Sequence, residues 1–381
     1  MKYLDEISDY TSKVRRKLHQ IPELGFNEFK TRDYLKKELE NFEFEIHDVA
    51  KTGIVAVKRG LNKNAIAFRA DMDALVIKEE NDLSFKSRHE GKMHACGHDG
   101  HMAIVLGFAK YLSKIEKLNR DIVLIFQPAE EGPGGAEVIV NEGILEKFNI
   151  KEVFGLHILP DVKEGKVATI PGAMMAKTGE VDITIKGKGG HGAIPQSTID
   201  TLYATSQLIN NYQSIISRNI NPIQGAVMSI GKIKGGQSRN IIAEKVEIEG
   251  IIRAFDTGVY ELIKRRIKEI NEGIKKMYGV KVFMEIRDMY PPVVNDKKLY
   301  DIFKSVIDEE KLEKLEPMMI SEDFSYYQRE IPGLFFMLGS RNEEKDFIYP
   351  LHNARFNFNE EILVEGVKIY IKICEAMEIF I

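Results

Sequence analysis

The chain has 381 residues, 44% of them hydrophobic and 29% charged, with a formal net charge of -4. That length exceeds the usual ceiling for one hydrophobic core and predicts two domains, while the near-balanced charge gives no electrostatic reason to bind nucleic acid or an anionic membrane. The polar start, Met1-Lys2-Tyr3-Leu4-Asp5-Glu6, lacks the apolar core of a secretion signal, no apolar run is long enough to span a bilayer, and two cysteines alone, Cys96 and Cys374, suggest a reducing cytoplasm without a disulfide framework.

In chain order, residues 28–41 have helical spacing, and Ile54–Val57 and Ala65–Phe68 read as strands. A helix is predicted from His98 to Ile115, with Met102, Val105, Leu106, Ala109 and Leu112 on one face. Ile122–Phe126 is a continuous apolar run that suits a strand buried on both faces. A helix from about Gly134 to Leu145 and a strand at Val153–Leu156 follow, so the first half predicts an α/β layer with a largely parallel or mixed sheet. Near Thr178 the pattern changes. Alternation at Val181, Ile183 and Ile185, a helix over Ile199–Ile216, strands at Ala226–Ile233 and Val246–Ile252, a helix over Tyr260–Met277 and a last strand from Val280 spell β-α-β-β-α-β, the ferredoxin-like arrangement. Pro291-Pro292 breaks the chain, helix and strand patterns resume from about Leu299, and Ile369–Ile381 reads as an amphipathic helix. The expected domains are thus 1–178 with 292–381, and an inserted 179–291.

Four features could carry chemistry. In His94-Ala95-Cys96-Gly97-His98-Asp99-Gly100-His101, a thiol and an imidazole two residues apart at a helix mouth can grip one divalent ion; the alternative is a buried thiol beside capping histidines. In Gln127-Pro128-Ala129-Glu130-Glu131-Gly132, two acids follow a buried strand, where open α/β sheets place their sites. One acid can hold metal while the other moves a proton, or both can sit on a solvated turn. Asp71 and Asp73, in Arg69-Ala70-Asp71-Met72-Asp73-Ala74, suit a metal ligand or the partner of a ligating histidine, and equally a cap or surface turn. Single histidines stand at strand or loop ends: His157, His191 in Gly187-Lys188-Gly189-Gly190-His191-Gly192, and His352.

In this order, together with His19-Gln20-Ile21-Pro22-Glu23-Leu24-Gly25-Phe26, Ser321-Glu322-Asp323-Phe324-Ser325 and Pro350-Leu351-His352, these pieces resemble the amidohydrolase branch of the aminoacylase/carboxypeptidase superfamily of di-metal hydrolases. The resemblance implies an aminopeptidase-like catalytic domain with an inserted ferredoxin-like lid, which is also the surface of a homodimer. It implies Cys96, His98, Glu131, His157 and His352 as ligands of two divalent ions, Zn2+ or Mn2+ with Co2+ or Ni2+ as options. Glu130 is implied as general acid/base, Asp71 as the second catalytic position with Asp73 as its rival for orienting a ligand, and His191 as a stabiliser of the reacting carbonyl. Asn240 and Arg253 match substrate-contacting positions, and a guanidinium suits an amino-acid carboxylate. The implied activity is hydrolysis of the amide of N-acyl (N-acetyl) L-amino acids. N-acetyldiaminopimelate deacetylation, dipeptide cleavage and non-catalytic binding of metal or amino acid stand as alternatives.

Overall fold

The computed structural model describes residues 3–381; Met1 and Lys2, where the polar start begins, lie outside the described residues. The chain folds into two units. One takes the chain up to Gly172, Val294–Glu316 and Asp323–Ile381; the other takes Ala173–Val293 and Pro317–Glu322.

In the first unit an eight-stranded mixed sheet runs in the order Glu45–Val49, Gly53–Lys58, Arg120–Gln127, Asn62–Asp71, Ile150–Lys163, Gly333–Arg341, Val167–Ala168, Leu312–Glu313. The four strands from Arg120–Gln127 to Gly333–Arg341 are mutually parallel. Apolar runs at Ile122–Phe126 and Leu334–Leu338 are fully buried, as strands covered on both faces must be. Phe68, Phe126, Phe154 and Phe336 build the core with the helix His98–Leu112, against which the helices Leu4–His19 and Glu361–Ala376 pack. Parallel pairing also sets the height of each strand end. Asp71 pairs with Gln127 and Arg69 with Gly155, so Asp71, the end of Arg120–Gln127 and His157 stand level at one edge of the sheet. The helix expected over Gly134–Leu145 is two helices, Gly135–Asn141 and Ile144–Lys147, because Gly143 takes a left-handed φ of 71° between them.

The second unit has the strand and helix order β-α-β-β-α-β. Its four-stranded sheet is antiparallel throughout, ordered Ala226–Gly235, Lys245–Ala254, Lys177–Lys186, Lys281–Asp288. Val181, Ile183, Ile185, Val246 and Ile248 face the helices Thr201–Ser214 and Thr257–Tyr278. Asp200 and Asp256 cap those helices by accepting from Tyr203 N and Val259 N at 3.0 and 2.8 Å. This unit extends back to Ala173 and takes in Pro317–Glu322, because Met318 N donates to Met174 O and Ala176 N to Ile320 O, a ladder between distant segments that local pattern does not reveal. Among the described residues no helix is long and apolar enough to cross a membrane.

Candidate metal centre

The level strand ends gather the predicted ligands of the first unit. Gly97 adopts φ 88°, which a side chain would resist, and this turn delivers Cys96 and His98 together at the start of the helix. Cys96 Sγ lies 3.4 Å from His157 Nε2. One donor atom each of Cys96, His98 and Glu131 lie within 4.8 Å of one another, and so do those of Asp71, His98, His101 and His157. His352 sits on a loop with φ 61°; its amide donates to Ala95 O at 2.9 Å and its exposed ring faces Glu131, Nε2 to Oε1 3.0 Å. Glu130 is buried, with Oε2 4.0 Å from His98 Nε2.

Hydrogen bonds settle the ring orientations. His98 Nδ1 donates to the main-chain oxygen of Asp73 at 2.9 Å, which turns Nε2 into the cluster. His157 Nδ1 likewise donates to Ile158 O at 2.7 Å, leaving Nε2 toward Cys96. Of the two aspartates left open by sequence, Asp73 thus meets His98 through its main-chain oxygen, while Asp71 Oδ2 stands 3.8 Å from His98 Nε2. Asp71 instead accepts from His101 Nδ1 at 2.6 Å and from Arg69 at 2.7 Å. His101 was not anticipated. Its Nε2 accepts the Ile158 amide at 2.9 Å, so both ring nitrogens are committed and it braces the strand of His157 without being available as a ligand. The signal was the i, i+3 spacing of His98 and His101, which puts them on one helix face.

The electrostatics suit a cation. Burial disfavours a charged His98, but Asp71 and Asp73 outweigh it and push the pKa up to about 10. Burial, then His101, pushes His157 well below the ordinary histidine value, toward the neutral ring that a metal binds. Burial raises Glu131, yet its hydrogen bond to His352 and the charge of His98 hold it below the usual carboxylate range. Burial and the negative charges of Glu131, Glu130 and Asp71 push the Cys96 thiol well up, a preference that a divalent ion beside the sulfur would invert. His98 Nε2 is buried and has no hydrogen-bond partner among the described residues. Such an orphaned nitrogen amid carboxylates and a thiol fits a metal ion.

His191, Asn240 and Arg253 belong to the second unit. His191 pairs with Ile241 in a short exposed ribbon, and Gly192 N donates to Asn240 O at 2.8 Å, so His191 and Asn240 are neighbours. Arg253 lies on the strand Lys245–Ala254, half-buried, and donates to Ser321 Oγ at 3.0 Å.

A parallel sheet that presents thiol, imidazole and carboxylate donors at its strand ends, with a further acid beside them, defines a metal-dependent hydrolase of the α/β class. The chain belongs to peptidase family M20/M25/M40, whose family model matches residues 67–376. It is 38% identical over 359 residues to an N-acetyldiaminopimelate deacetylase of Exiguobacterium sibiricum, covering 93% of this chain and 96% of that protein. It is 39% identical over 376 residues to the IAA-amino acid hydrolase ILR1-like 4 of Arabidopsis thaliana, covering 96% and 85%. The YXEP protein of Bacillus subtilis, described as a dinuclear metal binding peptidase from the M20 family, superposes with a TM-score of 0.86 at 31% identity over 98% of this chain and 99% of that one. The chain is an enzyme that hydrolyses amides.

Proposed function

We propose that this enzyme removes the acyl group from N-acyl L-amino acids, N-acetyl ones foremost, releasing a carboxylate and a free amino acid. The observation that carries the reading is the convergence of Cys96, His98, Glu131, His157 and His352, with Glu130 turned to His98 at 4.0 Å. The five would hold two divalent ions, of which the thiolate favours zinc, with manganese, cobalt or nickel as options. When bound, the ions supply Lewis acidity, lowering the pKa of water and polarising the amide carbonyl. Glu130 takes the proton of the attacking water and delivers it to the leaving nitrogen, and its burial suits a carboxylate that must work in both directions. Asp73 holds the His98 ring, and Asp71 with His101 holds the strand ends in register. His191 would donate to the oxyanion, and Asn240 and Arg253 would bind the amino-acid end, Arg253 through its carboxylate. A cytoplasmic location is part of the same proposal, supported by a thiol ligand that has to stay reduced and by the free state of Cys96 and Cys374.

A second reading, deacetylation of N-acetyldiaminopimelate, is favoured by the names of several relatives at 38–40% identity. One metal-loaded preparation tested on N-acetylmethionine, hippurate, N-acetyldiaminopimelate and dipeptides separates the readings. The expected result is fastest release of amine from N-acetylmethionine or hippurate, abolished by a chelator and restored by added metal. Preference for N-acetyldiaminopimelate selects the second reading, and chelator-resistant turnover refutes both.

We also propose that the second unit forms a homodimer. The strand Ala226–Gly235 is an exposed sheet edge, with Ile233 53% exposed, and Leu202 and Tyr203 are exposed at a nearby helix start. Light scattering should give a dimer; a monomer at all concentrations would remove this part.

A further inference from the structure

The motif from His19 to Phe26 has no role in the chemistry above, yet the segment that follows it reaches the catalytic turn. Glu28 is fully buried. Its Oε1 accepts the Ala129 amide at 3.0 Å and its Oε2 accepts the Thr52 hydroxyl at 2.6 Å. Asp73 accepts the Glu130 amide through Oδ1 at 3.0 Å and the Glu131 amide through Oδ2 at 3.1 Å. Three successive main-chain amides, those of residues 129, 130 and 131, thus each end on a carboxylate oxygen. The turn needs holding, because Ala129 takes φ 55°, a conformation its Cβ disfavours. Its carbonyl closes the turn by accepting from Gly134 N and Gly135 N.

The rest of the segment fastens Glu28 in place. A Cβ on Gly25 would stand 2.8 Å from Gly132 O and 2.9 Å from Ala129 Cβ, so the segment lies directly on the turn and only glycine permits it. Glu23 Oε2 accepts the Lys30 and Thr31 amides at 2.9 and 3.0 Å, which starts the helix Phe29–Glu40 beside Glu28. Its main-chain oxygen accepts the Ala74 amide at 2.8 Å, tying the segment to the residue after Asp73. His19, at the head of the motif, meets Asp99 Oδ2 at 2.8 Å, next to His98.

We propose that residues 23–28 are a clasp for the catalytic turn and that Glu28 is a positioning residue which, with Asp73, fixes where Glu130 and Glu131 point. The effect on catalysis rests on the role proposed for Glu130; the effect on the turn does not. Amides on a hydrogen-bonded turn exchange with solvent only when the turn opens, so hydrogen–deuterium exchange over residues 127–135 reads the clasp directly. Glu28→Ala should speed exchange there by about tenfold or more while the helix His98–Leu112 keeps its protection. Its kcat should fall by about tenfold to a hundredfold with KM little changed, as for a misplaced acid rather than a lost binding contact. Glu28→Gln, whose side-chain oxygen still accepts the Ala129 amide, should restore most of both. Gly25→Ala should reproduce the Glu28→Ala signature without altering a charge, and carries the comparison if Glu28→Ala does not fold. Wild-type exchange over residues 127–135 in Gly25→Ala, or a Glu28→Gln enzyme with the turn as open as in Glu28→Ala or Gly25→Ala, would overturn the clasp. An inactive wild type would strike the Glu130 role alone, since the exchange contrast still decides the clasp.

Discussion

Glu130→Gln should lower kcat by about 10²- to 10⁴-fold while two equivalents of metal remain bound. The amide is isosteric, and the bond from the main-chain nitrogen of this residue to Asp73 does not involve the side chain, so the turn survives the exchange. Glu131, His352 and Cys96 keep their mutual contacts, since none passes through the Glu130 side chain. What disappears is a carboxylate able to accept a proton from water and return it to nitrogen. Steady-state kinetics on one N-acyl substrate, paired with elemental analysis of the same sample, makes the measurement. Turnover within about twofold of wild type would remove Glu130 from the proton path, and loss of metal would make it a ligand instead.

The largest effect on stability is expected at Arg69. Its side chain is fully buried, and its donors include Nε to Gln127 Oε1 at 2.8 Å, one terminal nitrogen to Asp71 Oδ2 at 2.7 Å, and the other to Asp323 Oδ1 at 2.9 Å. Asp323 further accepts from Gln127 Nε2 and from the Ala136 amide, so this guanidinium neutralises a polar junction that joins two strand ends to a helix start. Arg69→Met leaves Asp71 and Asp323 in the interior without their shared cation, and a loss of about 3–5 kcal/mol is expected from such half-broken buried pairs. Arg69→Lys should recover little, because one ammonium cannot span the planar fork's three directions. Chemical denaturation of the metal-free protein tests this, and a stability within about 1 kcal/mol of wild type for Arg69→Met would show that the junction has been overvalued.

Much of this was legible in the residues because the fold is locally consistent. The apolar run Ile122–Phe126 reads as a strand buried on both faces and is one, and the alternation from Val181 onward gives the strands and helices of the second unit in their order. The cluster of Cys96, His98 and Glu131 could be anticipated from motif density and resemblance. Three things could not. The contrast between Asp71 and Asp73 depends on where a strand stops pairing, since the two share a side by periodicity yet Asp71 meets His101 by its carboxylate and Asp73 meets His98 by its main-chain oxygen. The service of His101 depends on Ile158, which comes within reach only when the helix docks on the sheet. The membership of Pro317–Glu322 in the second unit depends on main-chain bonds to Met174 and Ala176, invisible to any side-chain pattern.

The central sheet has a consequence for biosynthesis. Val153 pairs with Gly333, so the strand Ile150–Lys163 waits for a neighbour synthesised after the whole second unit has emerged, and His352 arrives later still. During translation the first unit therefore presents a bare parallel edge of Phe154, Leu156 and Ile158 while the second unit, whose four strands are contiguous in the chain, can already close. A chain truncated between these points would keep an adhesive edge and an incomplete ligand set.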